Sequence, residues 1–342
     1  MKSIRIHEHG GIEKLVYEDA PEPLISPGNV IVKVKACALN HLDIWVRQGL
    51  PNADFHLPRI PGSDISGIVA EVGEGVTAVQ SGDEVILYPA YFCGTCEMCL
   101  SGRQTLCDSY SAFGTMLDGG NAEYISVPER NVIPKPENLD FNESAAFPLV
   151  FLTAWHMLVS LGKVKEGDKV LVHAAGSGVG MAAIQIARLF CARVYTTSSS
   201  DEKLEKAKEI GADVTINYDS EDFLKSVRDD TDGEGVDIVI EHIGPATWKN
   251  SVRSLKKGGR LVTCGATTGP VAELELRRIF SNQISILGSY MGYLSELHDI
   301  IRYISSGALK PIIDKVFDLK DTAEAHKRME LRKQFGKIVL NP

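Results

Sequence analysis

The sequence predicts a two-domain α/β protein in which a doubly wound parallel sheet is inserted into a β-rich domain. Three observations carry that prediction. The chain has 342 residues, enough for two domains at roughly 150 residues each. Its first third reads as short strands punctuated by Gly and Pro, whereas Lys169 to Leu287 alternates six apolar strands with helical stretches, the rhythm of a parallel sheet with helices on both faces. A short tail then returns to a strand. The expected division is 1–150 plus 294–342 for the β-rich domain and 151–293 for the parallel sheet.

The elements follow in order. Val30–Ala36 is a strand, and Ile65–Val72 is another, ended by Gly73-Glu74-Gly75. Lys169–Ala174 is a short apolar strand, Met181–Phe190 has helical spacing, and Arg193–Thr197 is again a strand. A helix from Ser200 to Ile210 ends with Gly211 in the C′ position. Strands at Val214–Asn217, Val236–Glu241, Arg260–Cys264 and Ile284–Leu287 are separated by helices near 221–229 and 246–256. After Gly288 come an amphipathic helix, Leu294–Ser305, and a closing strand, Gly336–Leu340.

Composition excludes several classes. Hydrophobic residues at 44% and charged residues at 24% are ordinary globular usage, so neither disorder nor a fibrous protein fits. A net charge of -9 speaks against a grip on nucleic acid or anionic lipid. No apolar run approaches the ~18 residues of a membrane helix. Met1-Lys2-Ser3-Ile4-Arg5 leads into an alternation with His7, Glu8 and His9 instead of an apolar signal core. The expectation is a cytoplasmic protein without a membrane or nucleic-acid partner.

Ala175-Gly176-Ser177-Gly178-Val179-Gly180 falls between the strand KVLVHA and the helix MAAIQIARLF. A first βα turn of this kind needs glycine because the backbone bends sharply and approaches a pyrophosphate, which then rests on the helix N-terminus. The run departs from G-x-G-x-x-G at Ala175 and Ser177, so its position between strand and helix carries the assignment. An NAD site has an acid about 20 residues further on. Here the stretch is Thr196-Thr197-Ser198-Ser199-Ser200, with no carboxylate before Asp201. Without that repulsion, and with Lys203 and Tyr218 in reach, a 2′-phosphate is accepted at Ser198, and the cofactor expected is NADP(H).

Four of the seven cysteines crowd together as Cys93-x-x-Cys96-x-x-Cys99-x7-Cys107. That spacing wraps one tetrahedral Zn²⁺, with Gly94 and Gly102 allowing the tight turns. Four protein ligands leave no open position, so the expected zinc, one per chain, is structural.

These features together resemble the medium-chain dehydrogenase/reductase superfamily, the zinc-type alcohol dehydrogenases and quinone oxidoreductases, from Met1 to Pro342. The resemblance rests on the cysteine lobe at roughly residues 91–110, the glycine turn, Thr153 in Phe151-Leu152-Thr153-Ala154-Trp155, and the ending Phe335-Gly336-Lys337-Ile338-Val339-Leu340. It implies a GroES-like β domain with an inserted Rossmann domain, a homodimer or homotetramer, and Thr153 at the cofactor. It also implies Ser199, Lys203, Tyr218 and Arg332 around an NADPH 2′-phosphate. Metal-dependent members have a Cys where this chain has Asn40, in Asn40-His41-Leu42-Asp43, and a His where it has Ser63, in Gly62-Ser63-Asp64. Leu42 replaces the hydroxyl that begins their proton relay, and Pro148-Leu149-Val150-Phe151 offers no thiolate. The catalytic zinc is therefore expected to be absent.

Losing the Lewis acid disfavours simple alcohol oxidation and favours hydride addition to a conjugated C=C bond. The leading expectation is an NADPH-dependent reductase of unsaturated carbonyl compounds or quinones. In it Asn40 is an oxyanion donor, His41 contacts cofactor phosphates or acts as an acid, and His242 stands at a strand's C-terminal end where ligands collect. Asp43 and Asp64 orient their neighbours. Three alternatives stay open: an enoyl-CoA reductase, reductive carboxylation included, for which Arg277-Arg278 and Lys256-Lys257 would form a basic groove; an alcohol dehydrogenase; and a non-enzymatic NADPH-binding protein. Asn40 followed by Trp45 resembles the enoyl-thioester reductases. Ser285-Ile286-Leu287-Gly288 closes the sheet as an edge fit to pair with a second copy.

Overall fold

The computed structural model describes residues 1–49 and 56–342. The chain divides into two compact units, Met1–Leu149 with Tyr293–Pro342, and Val150–Gly292.

The second unit holds six parallel strands: β1 (Lys169–Val172), β2 (Arg193–Ser198), β3 (Val214–Asn217), β4 (Val236–Glu241), β5 (Leu255–Thr263) and β6 (Ser285–Gly288). Their spatial order is β3-β2-β1-β4-β5-β6, with Leu171 opposite Tyr195 on one side and Val239 on the other. That is the doubly wound order, whose reversal between β1 and β4 opens a crevice at the strands' C-terminal ends. The helices between them are α1 (Gly178–Leu189), α2 (Asp201–Glu209), α3 (Phe223–Asp230), α4 (Pro245–Ser254) and α5 (Leu276–Asn282). β4 is buried at every position, as a central strand covered on both faces must be; Val236 and Ile238–Ile240 are its apolar part, and Asp237 and Glu241 are buried acids. Leu171, Tyr195, Val239, Leu261, Phe223 and Val252 form the core between sheet and helices. Side chains cap the helices: Ser200 accepts from Lys203 N at the start of α2, and Asp222 accepts from Leu224 N and Lys225 N at the start of α3. Gly211, at φ +115°, ends α2 as expected.

The first unit is built on a seven-stranded sheet. Asn29–Ala38 pairs antiparallel with Asp64–Val72 and Tyr124–Pro128, and the tail strand Lys337–Asn341 pairs with it through Val339↔Ala38 and Leu340↔Cys37. Val30, Val32, Ile65, Val85, Phe113 and Val127 fill its interior.

Several elements escaped the sequence reading. Strand Ile313–Asp318 lies parallel to the tail strand and helix Thr322–Glu330 follows it, in the stretch where only a closing strand was expected. Helix His41–Gln48 begins at Asn40, whose backbone N–H donates to Asp43 Oδ2 at 2.7 Å. Its charged side chains include a fully buried Arg47, held by Gly10 O, His326 and Glu330, contacts no periodicity announces. Residues His156–Leu161 adopt a π-helical turn. None of the described helices is long and apolar enough to cross a membrane.

Candidate active site

In the second unit the glycine turn is formed by backbone strain as well as glycine. Ala174 takes φ +52°, and a Cβ on Gly180 would lie 2.3 Å from Ala174 O, so no larger residue fits there. Ser177, where the fingerprint was imperfect, is the N-cap of α1: its Oγ accepts from Gly180 N at 2.9 Å. Gly178 and Val179 keep their N–H groups for a ligand, and with the helix dipole these make an anion site. His242 Nε2 lies 3.3 Å from Ser177 Oγ. The structure thus brings His242, read as a catalytic candidate, to the nucleotide turn.

The 2′-phosphate candidates are brought together in part. Ser198 pairs with Asn217 across β2 and β3, and Tyr218 N donates to Ser198 O at 3.1 Å. Lys203 lies in the first turn of α2, and Ser199 and Tyr218 are exposed beside it. The nearest acid, Asp201, accepts from Asn217 Nδ2 at 2.6 Å. Thr153 is buried in the helix Pro148–Trp155. Arg332 belongs to the first unit, where its charge bears on His41.

A buried polar network that the sequence did not reveal supports these loops. Glu241, at the end of β4, accepts from Ile243 N at 2.7 Å, Gly244 N at 3.1 Å, Thr247 Oγ1 at 2.9 Å and Ser251 Oγ at 2.6 Å. His173, at the end of β1, pairs with Ser251 Oγ at 2.8 Å and Thr197 Oγ1 at 3.0 Å. Burial pulls the His173 imidazole below its ordinary value, so it stays neutral. Burial works to raise Glu241, but the Ser251 hydroxyl and the two backbone amides donate to the carboxylate and hold it below the usual range. The carboxylate therefore fixes the loop that carries His242.

In the first unit the conspicuous group is a buried ion pair. Lys337 Nζ donates to Asp64 Oδ2 at 2.8 Å and to Asn40 Oδ1 at 2.6 Å, with Lys337 only 2% exposed and Asp64 not at all. An ammonium can only donate, so the Asn40 oxygen must face it. The Asn40 amide nitrogen then donates to Asp64 Oδ2 at 2.9 Å and to Ala38 O at 3.4 Å, which leaves the expected oxyanion donor already engaged. Asp64 Oδ1 accepts from Leu149 N at 2.7 Å. Asp43 accepts from Asn40 N and, at 3.0 Å, from Gly62 N; burial, only partly offset by those bonds and Lys337, raises its pKa to about 6. Gly62 sits at φ +104°, where a Cβ would meet Cys37 Sγ at 2.6 Å. The signal for Lys337 was present in the sequence as a lone cation inside an apolar strand. His41 is exposed and stands edge-on to Trp45, with ring centroids 5.0 Å apart. Desolvation by its neighbours and the Arg332 charge pull its pKa below the ordinary value.

These residues do not fit a catalytic zinc. Ser63 gives its hydroxyl to Phe113 O at 2.7 Å, Asn40 is turned to Lys337 and Asp64, and a buried ammonium already supplies the local positive charge. The cysteine lobe does fit a metal. The Sγ atoms of Cys93, Cys96, Cys99 and Cys107 lie within 4.8 Å of one another, and Cys93 and Cys99 are 3.8 Å apart, the separation given by a tetrahedron of about 2.3 Å Zn–S bonds. Thr95 N and Cys96 N donate to Cys93 Sγ at 3.4 and 3.3 Å, favouring its thiolate. Zinc held there would supply folding energy and no chemistry, because every position is filled by protein.

Comparison with known proteins now decides the family. Residues 26–137 match the alcohol dehydrogenase GroES-like domain, and residues 178–306 match the zinc-binding dehydrogenase family. A zinc-type alcohol dehydrogenase-like protein of Schizosaccharomyces pombe is 35% identical over 97% of this chain and 96% of its own length. The chain belongs to the medium-chain dehydrogenase/reductase superfamily. It is an oxidoreductase of that superfamily, with a GroES-like domain and a Rossmann-like parallel sheet. This dehydrogenase/reductase is also 30% identical to the quinone oxidoreductase of Rattus norvegicus, covering 99% of this chain and 97% of that one. Among solved structures, an NAD-dependent alcohol dehydrogenase matches with a TM-score of 0.96 at 46% identity, covering 100% of both chains. A crotonyl-CoA carboxylase/reductase in complex with NADP matches with a TM-score of 0.90 at 25% identity, covering 100% of this chain and 94% of that one.

Two expectations follow. Elemental analysis should find about one zinc per chain, and chelation should lower the thermal midpoint well before it lowers turnover; two zincs per chain would contradict the reading of Asn40 and Ser63. Lys337→Met should cost about 3–5 kcal/mol in urea unfolding by leaving Asp64 buried and unpaired. Adding Asp64→Asn should recover part of that loss, since the Asn40 amide can then turn its oxygen to the new side-chain amide.

Proposed function

We propose that this chain is an NADPH-dependent reductase of activated C=C bonds or quinones that works without a catalytic metal. The observation that carries the reading is the Lys337–Asp64–Asn40 cluster: Asn40, where metal-dependent members bear a ligand, is here committed to the hydrogen bonds of a buried ion pair. Without a Lewis acid an alcohol keeps its high pKa, while a conjugated acceptor spreads its own developing charge. Bound NADPH would supply the hydride. The protein's share is binding and orientation: Gly178 and Val179 N–H for the pyrophosphate, Ser177 and His242 for the turn's shape, and Ser198, Ser199, Lys203 and Tyr218 for the 2′-phosphate. Thr153 completes the proposed cofactor contacts of the second unit. Asn40 and Asp43 hold the start of the helix bearing His41. That imidazole, mostly neutral at pH 7, serves as a hydrogen-bond donor, and solvent supplies the proton that quenches the enolate.

A second reading, an NAD-dependent alcohol dehydrogenase, is favoured by the 46% identity to a solved enzyme of that description. The enoyl-CoA reading finds less support. Lys256 is paired with Asp237 at 2.5 Å, and Arg278 is turned to the carbonyls of Val252 and Arg253, at the end of the sheet away from the nucleotide turn.

A screen of cofactor oxidation with enones, enals, quinones and enoyl-CoA esters separates these readings. NADPH should be preferred, with enones or quinones turned over. Ser198→Asp should shift the preference towards NADH by about tenfold or more through repulsion of the 2′-phosphate, and Lys203→Ala should raise the Michaelis constant for NADPH but hardly that for NADH. Wild-type preference for NADH with turnover of primary alcohols would sink the proposal.

We also propose a homodimer or a dimer of dimers. β6 is an edge of the parallel sheet, and its Ile286 and Leu287 are only half-buried, so pairing with a second copy would cover an otherwise open strand. Ile286→Lys should dissociate or aggregate the assembly in light scattering. A wild-type mass of one chain would show that the edge is managed otherwise.

A further inference from the structure

In the second unit a cavity of about 350 Å³ is lined by Leu224, Arg228, Arg253, Arg278 and Asn282. Three guanidinium groups share it, and none has a carboxylate at ion-pair distance among the described residues. Two of them have a structural task. Arg228 gives its terminal N–H groups to the carbonyls of Gly233, Glu234, Arg253 and Leu255. Arg278 reaches Val252 O at 3.4 Å and Arg253 O at 3.0 Å. Together they cover the C-terminal carbonyls of α4, as cations at a helix end do. Arg253 is different: it is exposed, and its guanidinium has no hydrogen bond or ion pair among the described residues. The cost of the arrangement shows in its neighbours. Burial, then the charges of Arg278 and Arg253, lowers the pKa of Arg228; burial and Arg253 lower that of Arg278, with Glu275 opposing.

The site lies far from the cofactor. Arg228 and Arg278 hold the carbonyls that lead into β4 and β5, whereas the glycine turn follows the opposite, C-terminal end of β1. In a parallel sheet those ends are separated by the strand length, about 20 Å for the six residues of β4. A 2′-phosphate or pyrophosphate seated on the glycine turn therefore cannot reach the three arginines.

We propose that this cavity is a second anion site, built for a diphosphate group. Its three positive charges match the roughly three negative charges of a diphosphate at neutral pH. The unpartnered Arg253 presents a planar fork that bonds two phosphate oxygens at once, and Arg228 and Arg278 supply fixed charge behind it. Occupation would relieve the repulsion within the cluster and so stabilise the unit that also carries the nucleotide turn.

The test is calorimetric titration of the full-length protein with sodium pyrophosphate at constant ionic strength, with and without saturating NADPH. With NADPH saturating the glycine turn, one pyrophosphate should still bind per chain and should raise the thermal midpoint. Arg253→Ala should weaken binding about tenfold or more, and Arg253→Lys should recover only part, because a point charge lacks the fork. Both variants should fold, since the exposed guanidinium makes no hydrogen bond or ion pair among the described residues, and their own thermal midpoints check this. Absence of saturable binding, loss of the signal under NADPH, or unchanged affinity in Arg253→Ala each overturns the proposal. Equal affinity for inorganic phosphate overturns the diphosphate assignment.

Discussion

The buried contact between Lys337 and Asp64 is the constraint on which the first unit turns. It joins the tail strand to the strand Asp64–Val72, and through Asn40 and Leu149 it fixes the start of helix His41–Gln48 and the end of the unit's first segment. Two opposite charges removed from water offset their desolvation only when geometry is good and the remaining donors and acceptors are satisfied. Here Asp64 receives three donors and the Asn40 amide bridges both charges, so the cluster has essentially one arrangement. A site of this kind holds shape and charge together.

The second unit solves a related problem with neutral partners around one carboxylate. The C-terminal ends of β1, β2 and β4 must stand in fixed relation if a nucleotide turn is to keep its anion-binding geometry. Packing alone does not set the loops beyond the strands. Glu241 does, by gathering two backbone amides and two hydroxyls, and His173 ties that cluster to Thr197 on β2. His242 then meets Ser177 as a consequence of this frame. The arginines at the other end of the sheet are a separate arrangement, with charge left open where the Glu241 carboxylate is met by four donors.

The family and its architecture were legible in the sequence because both are written locally. Strands such as Val214–Asn217 and Val236–Glu241 are bounded as expected, since a short apolar run between turn residues has few other fates. The four cysteines converge because fifteen residues of chain cannot carry them far apart. The glycine turn was recognisable despite Ala175 and Ser177, and Ser177 proved a helix cap, a role that depends only on the three residues after it.

Long-range pairing was not legible, and the tertiary structure alone decided it. Asn40 and Lys337 are 297 residues apart in sequence, and nothing near either one names the other. Read locally, Asn40 was a free amide able to hold an oxyanion; in the fold its oxygen faces an ammonium and its hydrogens face a carboxylate and a carbonyl. Arg253, Arg228 and Arg278 each look like a solvated charge on a helix, and become a cluster only when three helices pack at one end of the sheet. The sequence determined which local structures form, through periodicity, capping and turn chemistry. The tertiary structure determined which polar groups are left with, or without, a partner, because hydrogen bonding and charge pairing depend on distance in space and carry no periodic trace along the chain.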